Sequence, residues 1–235
     1  MSTSTIDRLL EEVRDEYLRR MTQGNGALLQ QVEQYSATRN GKMLRPRMLL
    51  LAAATRGDEH LLSRRTLLLA VCIEMLHNAS LLHDDVIDHA DTRRGQPSVN
   101  ARWNNAVAVL VGDYHLVQIM QLLDEIGDSD ATRRVNDTVK SMVEAELLAQ
   151  ENVDKLINSD IDVSTYQKII DGKTANLFAL AAELGNPDYR DFGLHYGRLF
   201  QLRDDLADGD ATLWTEQLIA SEEDAIKQMD RILNL

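Results

Sequence analysis

Six aspartates fall in two matched groups. LLHDDVIDHADTRRG carries Asp84, Asp85 and Asp88 in a DDxxD pattern, and FQLRDDLAD repeats the spacing with Asp204, Asp205 and Asp208. On a helix, residues four apart are neighbours with Cβ atoms about 5–6 Å apart, so Asp84 and Asp88 face one way. Like charges at that spacing repel, and acids at a helix C-terminus also oppose the macrodipole. Three carboxylates so placed call for a cation. Hard oxygen ligands of this kind suit Mg2+, which takes one or two carboxylates and completes its shell with water and phosphate oxygens. For one such motif alone, a solvated acidic helix end explains the pattern equally well. Its recurrence before Gly209 favours the cation, since two such ends opposed across a cavity could hold several divalent ions around a diphosphate.

Basic residues gather near the same segments. Arg93 and Arg94 follow the first motif in RRGQPS, and Gly41-Lys42-Met43-Leu44-Arg45-Pro46 sets two cations at a glycine-led helix start. A helix start already offers free N–H groups to an anion. Lys173-Thr174 interrupts an otherwise apolar helix. Each of these alone reads as an ordinary surface charge. Their grouping gains weight in a chain with 25 Lys+Arg against 38 Asp+Glu, a net charge of −13. That acidity argues against nucleic acid as a partner, because phosphate backbones need a basic face.

Helices must position these groups. The chain has three prolines and 5% aromatics. Its apolar residues recur in three- and four-residue steps, as in Ile6, Leu9, Leu10, Val13, Tyr17, Leu18 and in Val135, Val139, Met142, Val143, Leu147. The spacing predicts helices over 5–22, 27–37, 44–56, 63–83, 101–126, 130–152, 163–185, 188–208 and 214–233. Breaks are expected at Gly24–Gly26, Arg39–Gly41, Gly57–Asp58, Arg94–Pro97, Gly127–Ser129, Gly185–Pro187 and Gly209–Asp210. Ser63 is placed to cap a helix apolar nearly all round, which should therefore be central. Residues 1–235 are expected to form a single all-α domain. The single cysteine, Cys72, excludes a disulfide framework and fits a reducing compartment. The N-terminal stretch has neither the basic start nor the apolar core of a signal peptide, and Glu74, His77 and Asn78 interrupt the apolar run Thr66–Leu82. A soluble cytoplasmic protein is expected.

Taken in order and spacing, GKMLRPRMLLLAA (41–53), EMLHNASLLHDDVIDHADTRRGQPSVN (74–100), VLVGDY (109–114), YQKIIDGKTANLFALAAELG (166–185) and YGRLFQLRDDLAD (196–208) resemble the trans-isoprenyl diphosphate synthases, or polyprenyl synthetases. The resemblance covers about residues 5–208. It implies an antiparallel helical bundle of the isoprenoid-synthase type around a central cavity. It implies that Asp84, Asp85, Asp88, Asp204 and Asp208 bind Mg2+ ions gripping an allylic diphosphate, which Arg93, Lys173, Thr174 and Gln201 help to hold. Lys42, Arg45, His77 and Arg94 match the metal-free pocket for isopentenyl diphosphate. Asp84, Asp85, Asp88, Arg93, Lys173 and Asp204 would form the catalytic set. His83 is expected to orient an aspartate, and Asp113 to be structural. His60, His89, His115 and His195 carry no argument.

The chemistry that the resemblance implies needs no side-chain nucleophile. Neutralisation of the leaving diphosphate allows ionisation to an allylic cation, which the isopentenyl double bond attacks before a proton leaves. The family also implies a homodimer, with the apolar stretch Val107–Leu123 in the interface, and at most peripheral membrane contact for product release. Ser80 and Ala79, the fourth and fifth residues before Asp84, are small where a bulky aromatic would stop a growing chain. Leu76 and Met120 are the next candidates for a tunnel floor, and a product of six to eight isoprene units is expected. The resemblance lapses after Asp208. The family's lysine- and glycine-containing continuation is replaced by GDATLWTEQLIASEEDAIKQMDRILNL, and Arg203 is larger and more charged than the pattern leads one to expect. Two alternatives remain: a partner-dependent or regulatory subunit, and a class I terpene cyclase.

Overall fold

The computed structural model describes residues 3–23, 26–37, 41–158, 160–209, 211–212 and 214–233. The chain falls into two compact units, Met1–Asp128 and Ser129–Leu235.

The first unit contains α1 (Thr3–Thr22), α2 (Ala27–Ala37), α3 (Leu44–Ala54), the short α4 (Asp58–Leu61), α5 (Arg64–Ile87), α6 (Val99–Arg102) and α7 (Asn105–Ile126). The amphipathic series of α1 buries as its spacing requires, through Ile6, Leu9, Leu10, Val13 and Tyr17. Ser63 caps α5 by accepting the Thr66 N–H at 3.1 Å, a contact that typically contributes about 1 kcal/mol. Leu69, Val71, Cys72, Ile73 and Met75 of α5 are fully buried, and this helix packs against α7, α3 and α1. By length and hydropathy alone, α5 and α7 would each cross a membrane. For α5, burial inside the unit explains that composition.

Three boundaries differ from expectation. Helix α5 runs on to Ile87, so Asp84 and Asp85 lie within it and Asp88 is its C-cap. The expected helix 101–126 is two helices, because Ser98 accepts Ala101 N–H and Asn104 accepts Val107 N–H, each starting a new one. Between α5 and α6 runs a two-stranded hairpin, β1 (Thr92–Arg93) and β2 (Gln96–Pro97). Its turn residues Arg94 and Gly95 have φ of 53° and 74°, the left-handed geometry that two-residue hairpins favour.

The second unit contains α8 (Ser129–Glu151), α9 (Val153–Ile157), α10 (Val163–Ile170), α11 (Asn176–Gly185), a 3₁₀ turn Pro187–Tyr189, α12 (Arg190–Asp208) and α13 (Thr215–Leu233). Where one helix is expected over 163–185, the π turn Asp171–Ala175 joins α10 to α11. Gly172 there lies so close to α8 that an added Cβ would collide with the Ala145 methyl and the Ser141 carbonyl. This approach selects the buried face of α8. Ala131, Val135, Ala145 and Ala149 are buried, whereas Val143 and Leu147 of the expected stripe are exposed. Ile169, Ile170, Leu202 and Leu218 form the core in which α10, α12 and α13 meet. The expected breaks at Gly24, Arg39–Asn40 and Asp210 lie outside the described residues.

Candidate active site

At the end of α5 the three aspartates are not equivalent. Asp85 is 2% exposed, and its Oδ1 accepts from Arg93 Nε at 2.8 Å and Nη2 at 2.5 Å. Its backbone carbonyl accepts from Asn100 Nδ2 at 3.1 Å, which ties the helix end to α6. Asp84 is half-buried and Asp88 exposed. The Asp88 N–H bonds the Asp84 carbonyl at 2.8 Å, so these two sit one turn apart. His83 does contact an aspartate, but one on α7: its Nε2 lies 3.3 Å from Asp113 Oδ1. Gly112 makes room for that ring, since a Cβ there would meet it.

The isopentenyl candidates gather beside this end. Arg45 is 8% exposed, and its Nη1 lies 3.3 Å from His77 Nε2. Burial, reinforced by the charges of Arg45 and Arg94, holds the His77 imidazole well below its usual pKa. It is therefore neutral, and Nε2 accepts the guanidinium proton. Burial likewise brings Arg45 down to about 10, still cationic at neutral pH. The left-handed turn sets the Arg94 guanidinium against Gly41, with 2.9 Å between a would-be Cβ and Nη1. Lys42 is exposed on the same approach to α3. A cleft of about 490 Å³ is lined by Arg14, Gly41, Glu74, Asn78 and Arg94. A second, of about 410 Å³, reaches Asp85, Arg93 and Arg94.

In the second unit the π turn presents Lys173 and Thr174. Lys173 Nζ pairs with Glu146 of α8 at 2.8 Å. Thr174 Oγ1 donates to Gln201 Oε1 at 2.5 Å, and Gln201 Nε2 donates to Asp205 Oδ1 at 2.7 Å. The Tyr166 hydroxyl donates to the other Asp205 oxygen at 2.5 Å. Asp204 and Asp208 are exposed, and among the described residues neither forms an ion pair. Arg203, conspicuous in the sequence, bonds Glu223 of α13 at 2.6 Å and belongs to helix packing.

Sequence reasoning missed Tyr166, Glu146 and two side-chain networks, one buried and one partly buried. His115 Nε2 lies 2.8 Å from Glu33 Oε1, and the Tyr17 hydroxyl donates to the other Glu33 oxygen. Arg198 forks onto Asp171 at 2.6 and 2.7 Å, and His195 meets Glu222 at 2.5 Å. A polar residue recurring on an apolar helix face was the available signal. Met120, expected as a tunnel floor, is 66% exposed, so it floors no buried channel, whereas Leu76 and Ala79 are buried.

Within the described residues no three acidic, histidine or cysteine side chains converge to enclose a metal. The donor set nonetheless fits Mg2+, which keeps water and substrate phosphate in its shell and takes only one or two carboxylates. Asp88, Asp204 and Asp208 are exposed and Asp84 is half-buried, whereas Asp85 is committed to Arg93.

Residues 26–216 match the family model described as polyprenyl synthetase. The chain belongs to the polyprenyl synthetase family. Among curated relatives, the all-trans-nonaprenyl-diphosphate synthase (geranyl-diphosphate specific) of Rhodobacter capsulatus is 36% identical over 203 residues, 83% of this chain and 61% of the relative. The octaprenyl diphosphate synthase of Escherichia coli is 35% identical over 194 residues, 78% and 58% of the two chains. Among solved polyprenyl synthetase-like structures, a decaprenyl diphosphate synthase from Rhodobacter capsulatus superposes with a TM-score of 0.80 at 30% identity. It covers 87% of this chain and 64% of that one. An isoprenoid synthase family member from Thermotoga neapolitana gives 0.84 at 25% identity, covering 95% and 93%. The fold is therefore the all-α isoprenoid-synthase type. The chain spans about three fifths of the length of those two curated relatives.

Proposed function

We propose that the chain is a Mg2+-dependent trans-prenyltransferase that condenses isopentenyl diphosphate with an allylic diphosphate to a medium-chain polyprenyl diphosphate of six to eight units. The carrying observation is that polyprenyl synthetase motif residues stand as two acidic helix ends, one of them beside a cluster of Arg45, His77 and Arg94. In this reading Asp84 and Asp88 bind metal at the end of α5, with Asp85 held by Arg93 as their support, and Asp204 and Asp208 bind metal at the end of α12. When bound, Mg2+ supplies charge neutralisation of the departing diphosphate.

The chain's own residues do the rest. Lys42, Arg45 and Arg94 bind the isopentenyl diphosphate, and neutral His77 orients Arg45. Lys173 and Thr174 grip the allylic diphosphate, with Gln201 holding the threonine. Arg93 supports the same diphosphate from its place on Asp85. The small side chain of Ala79 is offered to a growing chain below Asp84, with Leu76 one turn further as its floor. Residues 1–235 act as one functional domain. The buried, unbridged Cys72 supports a reducing, cytoplasmic setting. A homodimer is supported by Leu110, Val117 and Met120, exposed along α7 at 66%, 48% and 66%. A second reading, a partner-dependent subunit, draws on relatives in Bacillus subtilis and Geobacillus stearothermophilus named heptaprenyl diphosphate synthase component 2.

The test is incubation with Mg2+, isopentenyl diphosphate and each allylic donor, followed by chromatography of the products. Elongation by the chain alone supports the synthase. Absence of extension with every donor favours the subunit reading.

A further inference from the structure

Tyr166 lies in the core of the second unit with Ile169, Leu202 and Leu218, yet its hydroxyl is fully engaged. It donates to one Asp205 oxygen at 2.5 Å while Gln201 donates to the other at 2.7 Å. Hydrogen bonds to a carboxylate at such lengths are the strong, charge-assisted kind. Burial, with Asp205 beside it, raises the Tyr166 pKa, so the phenol stays a donor. The nearby hydroxyls of Thr215 and Thr212 oppose that rise. Thr212 precedes α13 and Thr215 begins it: Thr212 N–H donates to Thr215 Oγ1 at 2.9 Å, and Thr215 is completely buried. Trp214 Nε1 bonds the Ile161 carbonyl at 3.1 Å and fixes the same segment to the start of α10.

Asp205 is thus clamped from two sides, and it lies between Asp204 and Asp208 on the last turn of α12. A clamped middle carboxylate can neither swing toward a cation nor let the turn rotate. We propose that Tyr166 is a positioning residue for Asp204 and Asp208, acting through Asp205. The inference rests on the proposed function in taking those two aspartates as metal carboxylates. It adds a role for α10, whose Tyr166 steadies the second acidic end.

The test uses the full chain and needs no turnover. Thermal unfolding is followed while Mg2+ is titrated at fixed inorganic diphosphate, comparing wild type, Tyr166→Phe, Asp205→Asn and the double variant. Phenylalanine keeps the ring in the core and removes only the donor. Loss of a supporting hydrogen bond typically lowers metal affinity about 10–100-fold, so the half-saturating Mg2+ concentration should rise at least about tenfold in Tyr166→Phe. Asp205→Asn should show a similar rise, and the double variant no more than either single one. An unchanged Mg2+ titration in Tyr166→Phe, or losses that multiply in the double variant, would overturn the proposal. Should Tyr166→Phe fail to fold, Asp205→Asn decides: wild-type affinity there overturns it. A wild type that binds Mg2+ and diphosphate yet extends no donor defeats the synthase reading and leaves the Tyr166 comparison standing. A wild type that binds neither defeats both.

Discussion

At the end of α5 the middle carboxylate, Asp85, is buried against the Arg93 guanidinium, whereas at the end of α12 its counterpart Asp205 meets a phenol and an amide. Both devices immobilise the second aspartate of a DDxxD pattern. Their charge differs. Arg93 cancels one negative charge locally, while neutral donors cancel none, and Arg203 on α12 turns to Glu223 instead. The second end thus sets two exposed carboxylates, Asp204 and Asp208, beside a clamp that brings no cation, at the C-terminus of a long helix where the macrodipole also disfavours them. Its electrostatic need for a cation is the greater.

The largest effects should come from removing ligands. Asp84→Ala and Asp204→Ala are each expected to lower turnover by about 10²-fold or more without loss of helix content, read by product formation and circular dichroism. Wild-type rates in both would break the metal assignment. The ends also differ one turn down, where α12 carries Phe200 and α5 carries only Ser80 and Ala79. Ala79→Tyr should give α5 similar bulk and shorten the product. An unchanged length distribution by chromatography would remove α5 from chain-length control.

Smaller effects separate the two clamps. Asp85→Asn strands a partly buried guanidinium and should cost about 2 kcal/mol in denaturant unfolding. Asp205→Asn, facing neutral donors, should cost about 1 kcal/mol. Reversal of that order would contradict the charge difference. In metal-free protein, Asp208→Asn relieves like-charge repulsion and should raise stability by about 0.2–0.5 kcal/mol, more than Asp88→Asn beside the compensated end.

The smallest expected effect is one of pH, and it belongs to the first unit. His77 has its folded pKa depressed, so the unfolded chain takes up a proton that the folded chain refuses. Its contribution is present above its unfolded pKa, about 6.5, and is lost as pH falls below that. His77→Gln should therefore lose less stability than wild type between pH 7 and pH 5, roughly the span in which histidine charges. Parallel pH curves would refute a neutral His77.

Much of this was legible in the chain because helical burial leaves a periodic record. The α1 series, the Ser63 cap and the acidic ends need only local spacing and the chemistry of neighbouring residues. The α8 stripe misled because the apolar period alone does not choose between two adjacent faces. Gly172, more than twenty residues away in sequence, made that choice by admitting Ala145. The split of 101–126 was readable in principle, since Ser98 and Asn104 are ordinary cap residues. Tyr166 was not readable, because its apolar ring explains its position on α10 and nothing in its surroundings announces the hydroxyl's partner.

The sequence by itself determined the helical class, the family, the positions of the two acidic helix ends and the set of cations near the first. The class and the helix ends follow from periodicity and residue type, which act over one or two turns, and the family from the resemblance of several motifs in order. Only the tertiary structure decided which aspartate of each triplet is committed and which is exposed, that His77 is neutral, and that Lys173 stands opposite Glu146. The reason is physical. Commitment depends on donors brought from other elements, Arg93 by a left-handed hairpin and Tyr166 from α10, and desolvation depends on what covers a side chain. Neither quantity is a property of neighbours along the chain.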